Sequence, residues 1–196
     1  MKIISFQNQL SNLTPHKKAR LEISELVISN PELFPELLKY CFQTEKEISY
    51  KAVWILELVS EKKLSLLIPY YELFFKNIPK VTKDQALRPL SKICLFLTES
   101  HYKKRNIVLE SKYKETIIEY CFDWLISNQK VATEAYAMRS LYYLGTEFEW
   151  IHPELKIIIE QNTPLKTSAY GARGRMTIEK IRKFQNKKKQ PFSEAS

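Results

Sequence analysis

The side chains with the greatest chemical reach in this chain are cations set among aromatic rings. Arg88, Lys92, Arg139, Arg173, Arg175 and Arg182 recur from the middle of the chain onward. Tyr136 and Tyr143 flank Arg139 within VATEAYAMRSLYYLG, residues 131–145, and Tyr170 follows. Guanidinium and ammonium groups contact phosphates or carboxylates, and a tyrosine ring offers a face to a base or to a partner's arginine. Arg88, Lys92, Tyr136, Arg139, Tyr143, Arg173, Arg175 and Arg182 are therefore the candidate binding residues. The same cations also fit a solvated face or a ladder joining neighbouring helices, and the tyrosines fit a core.

The formal charge of +9 is unevenly placed. Residues 171–189 hold eight cations and one anion, a net +7, whereas residues 1–170 carry only +3. Two readings of this basic end stand together. Cations near a helix C-terminus are favoured by the macrodipole and keep a protein soluble without any partner. Alternatively, FQNKKKQPF and the cations before it form an electrostatic arm for nucleic acid or an acidic protein.

Catalytic and metal chemistry has less support. Cys41, Cys94 and Cys121 lie far apart among apolar residues with no C-x-x-C pair, which reads as core packing. His16, His101 and His152 are scattered, and His152 precedes Pro153 as at a helix start. Only 3 glycines occur, Gly145, Gly171 and Gly174, and no G-x-G-x-x-G or Walker A loop is present to cradle a phosphate. No catalytic residue, metal or cofactor is assigned. The N-terminus MKIISFQNQL has no apolar core of signal-peptide length. No run approaches the ~18 apolar residues that a bilayer span needs. A soluble, cytoplasmic protein with no membrane role, monomeric or weakly oligomeric, is expected.

The elements that must position these residues are helices. Few glycines, 44% apolar and 27% charged residues disfavour hairpin turns. Thr14 with Pro15 is expected to open a helix carrying Ala19, Ile23, Leu26 and Val27, and Asn30-Pro31 the next, with Leu33, Phe34, Leu37, Leu38 and Cys41. Further helices are predicted over about residues 47–62, 65–78 with Pro69 in its first turns, and 82–100, where Thr82 to Gln85 spells a capping box and Pro89 can bend the helix. The basic stretch HYKKRNIVLE, residues 101–110, reads as a loop or insertion. Ser111 is expected to cap a helix to about Asn128, Gly145 to stand at C′ after the next, and Asp84 to pair with Arg88 at i, i+4. A helix follows from Pro153, and a last one covers about 168–183. Residues 1–183 form one expected domain, and 184–196 a basic, disordered C-terminal tail.

Lys51, Arg88, Glu134 and Gly171 fall in one register at intervals of 37, 46 and 37 residues, the excess of nine lying on the 101–110 insertion. Three residues on come Trp54, Ser91, Ala137 and Gly174, mostly small, as suits helices of neighbouring repeats that cross closely. Such a period with two helices per unit marks an α-solenoid. The segment DQALRPLSKICL, residues 84–95, resembles the second helix of a HEAT repeat, and 131–144 and 169–181 resemble further copies. The resemblance covers residues 14–183. The family's Asp is missing from the first units and its Arg is replaced by Glu134 and Gly171, which breaks a continuous Asp-Arg ladder. It implies an all-α, right-handed α-α superhelix of about five helical hairpins, with second helices lining a concave face, and no activity.

Two enzymatic resemblances compete with a binding role. Small bacterial HEAT-like DNA glycosylases are similar in size and charge and use a tryptophan-lined cleft with a catalytic Asp; here only Asp84, Asp123, Trp54, Trp124 and Trp150 are available. Short chains resembling this one also carry the label adenylosuccinate lyase, but the S-x-x-M-P-x-K-x-N loop of that superfamily is absent. The expected function is a non-catalytic scaffold binding a protein partner through its concave face. Nucleic-acid binding through the basic C-terminal helix and the same face is the alternative.

Overall fold

Apolar side chains at i, i+3 and i+4 can be buried only if each helix lays its stripe on a neighbour. The structure, a computed structural model, describes residues 2–189 and solves this with two layers of helices; no strand occurs among the described residues. The helices are α1 (Lys2–Ser11), α2 (Lys17–Ser29), α3 (Phe34–Cys41), α4 (Ile48–Lys63), α5 (Tyr71–Asn77), α6 (Asp84–Glu99), α7 (Ser111–Ile126), α8 (Val131–Leu144), α9 (Ile151–Asn162) and α10 (Ser168–Lys189). Even-numbered helices pack in succession, α2 on α4, α4 on α6, α6 on α8 and α8 on α10, while α3, α7 and α9 lie behind them. This is the all-α solenoid of five successive helix pairs that the period implies.

The inner helices are buried on two or more sides, so their apolar faces are wide. α4 buries Ala52, Val53, Ile55, Leu56 and Val59, and α6 buries Ala86, Leu90, Ile93, Cys94 and Leu97. Polar residues within these faces bond back to their own helix. Ser91 Oγ donates to the Arg88 carbonyl at 2.8 Å, and Thr98 Oγ1 to the Cys94 carbonyl at 3.1 Å. Ser91 and Ala137 are fully buried where α6 meets α8. Gly174 serves a different contact from the one its register suggests: a Cβ there would lie 2.5 Å from Ile159 Cγ2 on α9, within the same pair.

Several expectations are corrected. α1 stands ahead of the first expected helix, and Phe6 and Leu10, with Leu13 just beyond its end, are buried. Lys51 Nζ on α4 donates to the Ser11 carbonyl at 2.7 Å, satisfying one of the last acceptors of α1. Thr14, Thr82 and Ser111 do not cap. The residues before α2, α6 and α7 are His16, Lys83 and Glu110, with no side-chain cap bond. The helix expected over 65–78 is divided, a 3₁₀ stretch from Leu64 to Tyr70 containing Pro69 and then α5. The 101–110 segment is only partly a loop: Ser100–Lys104 widens α6 into a π turn, and Arg105 ends it at φ 56°. Gly145 has φ −66° and is no left-handed terminator; it is small because a Cβ would lie 2.1 Å from the His152 ring. α10 passes the expected end at Lys183 and reaches Lys189, its last-turn lysines facing the negative end of the dipole. Residues 190–196 of the expected disordered tail lie outside the described residues.

Pro89 does not break α6, and the reason joins two repeats. Lacking an N–H, it leaves the Gln85 carbonyl, four residues back, without its helical donor. The Trp54 indole N–H of α4 donates to that oxygen at 3.0 Å. Trp54→Phe should therefore cost about 1 kcal/mol in urea unfolding. In a Pro89→Ala background, which restores the backbone donor, that loss should largely disappear. An equal loss in both backgrounds would show that the indole does not serve this carbonyl.

Candidate functional site

The partly exposed side of the even-numbered helices carries most of the candidate residues, and the first two are engaged between repeats. Glu57, buried on α4, receives Arg88 from α6 at 2.7 Å and Lys92 at 3.0 Å. Lys92 also reaches Glu61 at 3.2 Å, and its ammonium stands 5.1 Å from the Phe96 ring centre. Burial works against the Lys92 charge, but the hydrogen bonds and charges of Glu57 and Glu61 outweigh it and raise the pKa. Trp54 to Gln85, Glu57 to Arg88 and Glu61 to Lys92 each span 31 residues, so the contacts form successive rungs. Arg88 thus pairs with Glu57, not with Asp84. Asp84 stands 3.9 Å from Lys130 instead.

Arg139 and Tyr143 converge on the next inner carboxylate. Glu99, at the end of α6, has Lys103 at 3.2 Å, the Tyr143 hydroxyl at 3.3 Å and Arg139 at 4.0 Å. Burial pushes the Glu99 pKa up, but Lys103, Arg139 and Tyr143 together hold it below the ordinary carboxylate range. Burial and then Glu99 raise that of Tyr143. Tyr136 is half-buried on the same helix. On α10, Arg173 and Arg175 are exposed, and Arg182 pairs within its own helix with Glu179 at 2.9 Å. The candidates therefore divide into a ladder pair, a group about Glu99, and separate α10 cations. Lys103 and Lys180 were not singled out from the sequence. Lys103 read as part of a loop, and only the π turn winds it back beside Glu99.

A third inner carboxylate, Glu134 on α8, has 0% exposure and pairs with Lys166, from the connection before α10. Its Oε2 and the hydroxyl of buried Tyr170 have no hydrogen-bond partner among the described residues. Burial raises the Glu134 pKa, and Lys166 offsets part of the rise. Lys166 Nζ also stands 5.2 Å from the Tyr170 ring centre.

Reactive groups are occupied by packing. Cys41, Cys94 and Cys121 are free and buried, and burial pushes their thiols up, Cys94 to about 12. Burial lowers the His152 pKa, and its Nε2 donates to the Tyr142 carbonyl at 2.9 Å while the ring lies between Tyr142 and Phe184. Asp123 is exposed on the outer helix α7, Trp124 is buried, and Trp150 stacks on Phe122. Among the described residues no three His, Cys, Asp or Glu side chains gather as a metal site, and no helix is long and apolar enough to cross a membrane.

A sequence model of the HEAT repeat domain matches residues 6–181. No curated protein and no solved structure matches the chain.

The buried pair gives a direct test of this geometry. Lys166→Met leaves the Glu134 charge unpaired and should cost about 3–5 kcal/mol by urea unfolding at pH 8, most of it recovered by adding Glu134→Gln. A carboxyl whose folded pKa is raised binds its proton more tightly when folded, so its destabilisation grows as pH rises. The single variant should therefore lose less at pH 5 than at pH 8. Equal, pH-independent losses for single and double variants would contradict a buried, charged Glu134.

Proposed function

The chain belongs to the HEAT repeat family, and on that premise we propose that it is a non-catalytic interaction module binding a protein partner along the concave face of its even-numbered helices. The observation that carries this reading is a strip of half-buried rings and cations running from one inner helix to the next: Trp54 on α4, Arg88, Lys92 and Phe96 on α6, and Arg139 and Tyr143 on α8. Tryptophan, tyrosine and arginine dominate the energetics of protein interfaces, because they offer large contact area with a polar tip. Here the cations are already oriented by Glu57, Glu61 and Glu99, so little side-chain entropy remains to be lost on docking. The partner works in the cytoplasm with a monomeric or weakly associated chain.

Nucleic acid is the second reading, favoured by one separate observation. Arg173, Arg175, Lys187 and Lys189 on α10 are exposed and outside any ion pair among the described residues. Affinity capture from native lysate, with and without nuclease, separates the two. A specific protein should survive nuclease treatment and fall about tenfold with Tyr136→Ala combined with Arg139→Ala. Capture abolished by nuclease, or lost on neutralising Arg173 and Arg175 alone, would transfer the function to nucleic acid.

A further inference from the structure

Glu57 and Glu61 together match Arg88 and Lys92, and Glu134 matches Lys166, but Glu99 stands alone among several cations. Lys103 and Arg139 both stand against it, and a third cation, Lys180 of α10, lies over the neighbouring Tyr142 ring, near enough for the three charges to act on one another. The Lys180 ammonium lies 5.9 Å from the centre of the Tyr142 ring, whose neighbour Tyr143, 5.3 Å away between centroids, donates its hydroxyl to Glu99. Three successive parts of the inner row, the π turn after α6, then α8, then α10, thus each bring one cation to the surroundings of Glu99, the first two in ion pairs with it and the third over the adjoining Tyr142 ring. Two positive charges are left without a counter-charge. The crowding is felt at Lys180, where burial and then the charges of Arg139 and Lys103 lower the pKa against the pull of Glu99.

We infer that Lys103, Arg139 and Lys180, gathered around Glu99, form a binding site for a phosphomonoester dianion. The charge count selects this class. A phosphomonoester carries about −1.5 to −2 at pH 7 and three acceptor oxygens, enough for one contact to each cation. A carboxylate or a phosphodiester brings a single charge and leaves one cation uncompensated. The parts are held in advance: Glu99 is 16% exposed and bonded to Tyr143, so it fixes Lys103 and Arg139 while their outer N–H groups, on side chains 65% and 42% exposed, face solvent. Arginine adds a planar fork that a phosphate accepts bidentately. The inference rests on reading the even-numbered row as the binding face, and in that setting a phosphorylated side chain of the partner supplies the group.

The test uses the full chain and small probes: O-phosphoserine, inorganic phosphate, dimethyl phosphate and acetate, titrated at matched ionic strength and followed by calorimetry and amide NMR. O-phosphoserine and phosphate should bind about tenfold or more tightly than dimethyl phosphate or acetate, shifting the amides of Tyr142, Tyr143 and Lys180. Lys180→Gln and Arg139→Gln, checked for unchanged thermal unfolding, should each weaken binding about tenfold, while Lys183→Gln on the same helix, paired with Glu179, should not. A preference for O-phosphoserine over free phosphate supports a phosphorylated side chain as source, and parity supports a free phosphate compound. Equal binding of dimethyl phosphate, competition by an oligonucleotide lacking terminal phosphate, or insensitivity to both variants would overturn the site. Partner capture retained without phosphoserine binding would refute this inference alone; phosphate binding without any partner would refute only the interaction reading.

Discussion

The stack of repeats depends on how each inner helix presents a carboxylate to the next unit. Glu57 on α4 takes Arg88 and Lys92, Glu99 on α6 takes Arg139 and the Tyr143 hydroxyl, and Glu134 on α8 takes Lys166. A repeat array is held by nearest-neighbour interfaces, so one polar fastening per interface fixes register while apolar burial supplies most of the stability. The α4–α6 interface has a further fastening, created by a defect. Pro89 removes a helical donor, and Trp54 fills the vacancy from the neighbouring helix. A residue that would weaken an isolated helix here binds one repeat to the next.

These fastenings change what the cations mean. Arg88 and Lys92 look like ligand contacts in a linear sequence, yet they neutralise a carboxylate that would be costly to bury alone. The insertion after α6 alters the balance one interface further along. Its π turn brings Lys103 to Glu99, and Tyr102 and Lys114 hold Glu147 at 2.7 and 2.8 Å, which ties the turn to the start of the next pair. Nine extra residues in the period coincide with Glu99, which among these three carboxylates has no second carboxylate to share its cations as Glu61 shares Lys92 with Glu57.

Legibility in the sequence followed the range of the interaction. The period of 37 residues, the inner helices and the insertion could be read because apolar spacing records burial locally. The residues that fasten the repeats could not, since Trp54 and Gln85, or Glu99 and Tyr143, are 31 and 44 residues apart and nothing in either segment names the other. Helix starts failed for a different reason. Thr14, Thr82 and Ser111 are good caps by type, but neighbouring packing sets where each helix begins. Gly145 shows the same limit: its small size answers to His152, which the sequence places seven residues away on another helix. For the candidate site, Arg139 and Tyr143 were legible as residues, but their shared carboxylate was not.

The basic end also takes on a more specific meaning. A charged, exposed helix face opposes association of one array with another. Arg173, Arg182, Lys183 and Lys187 suit that role on α10 whatever the protein binds. Phe184, against the His152 ring, anchors the extended part of the helix to the preceding pair. Net charge is thus a weak guide to partners in this chain. Direction is the stronger one: Lys180, on the same helix, turns back toward α8 over Tyr142, where its charge adds to those of Arg139 and Lys103. Cations that point outward keep the array soluble, and those that converge on a partly buried carboxylate leave a charge that a ligand can answer.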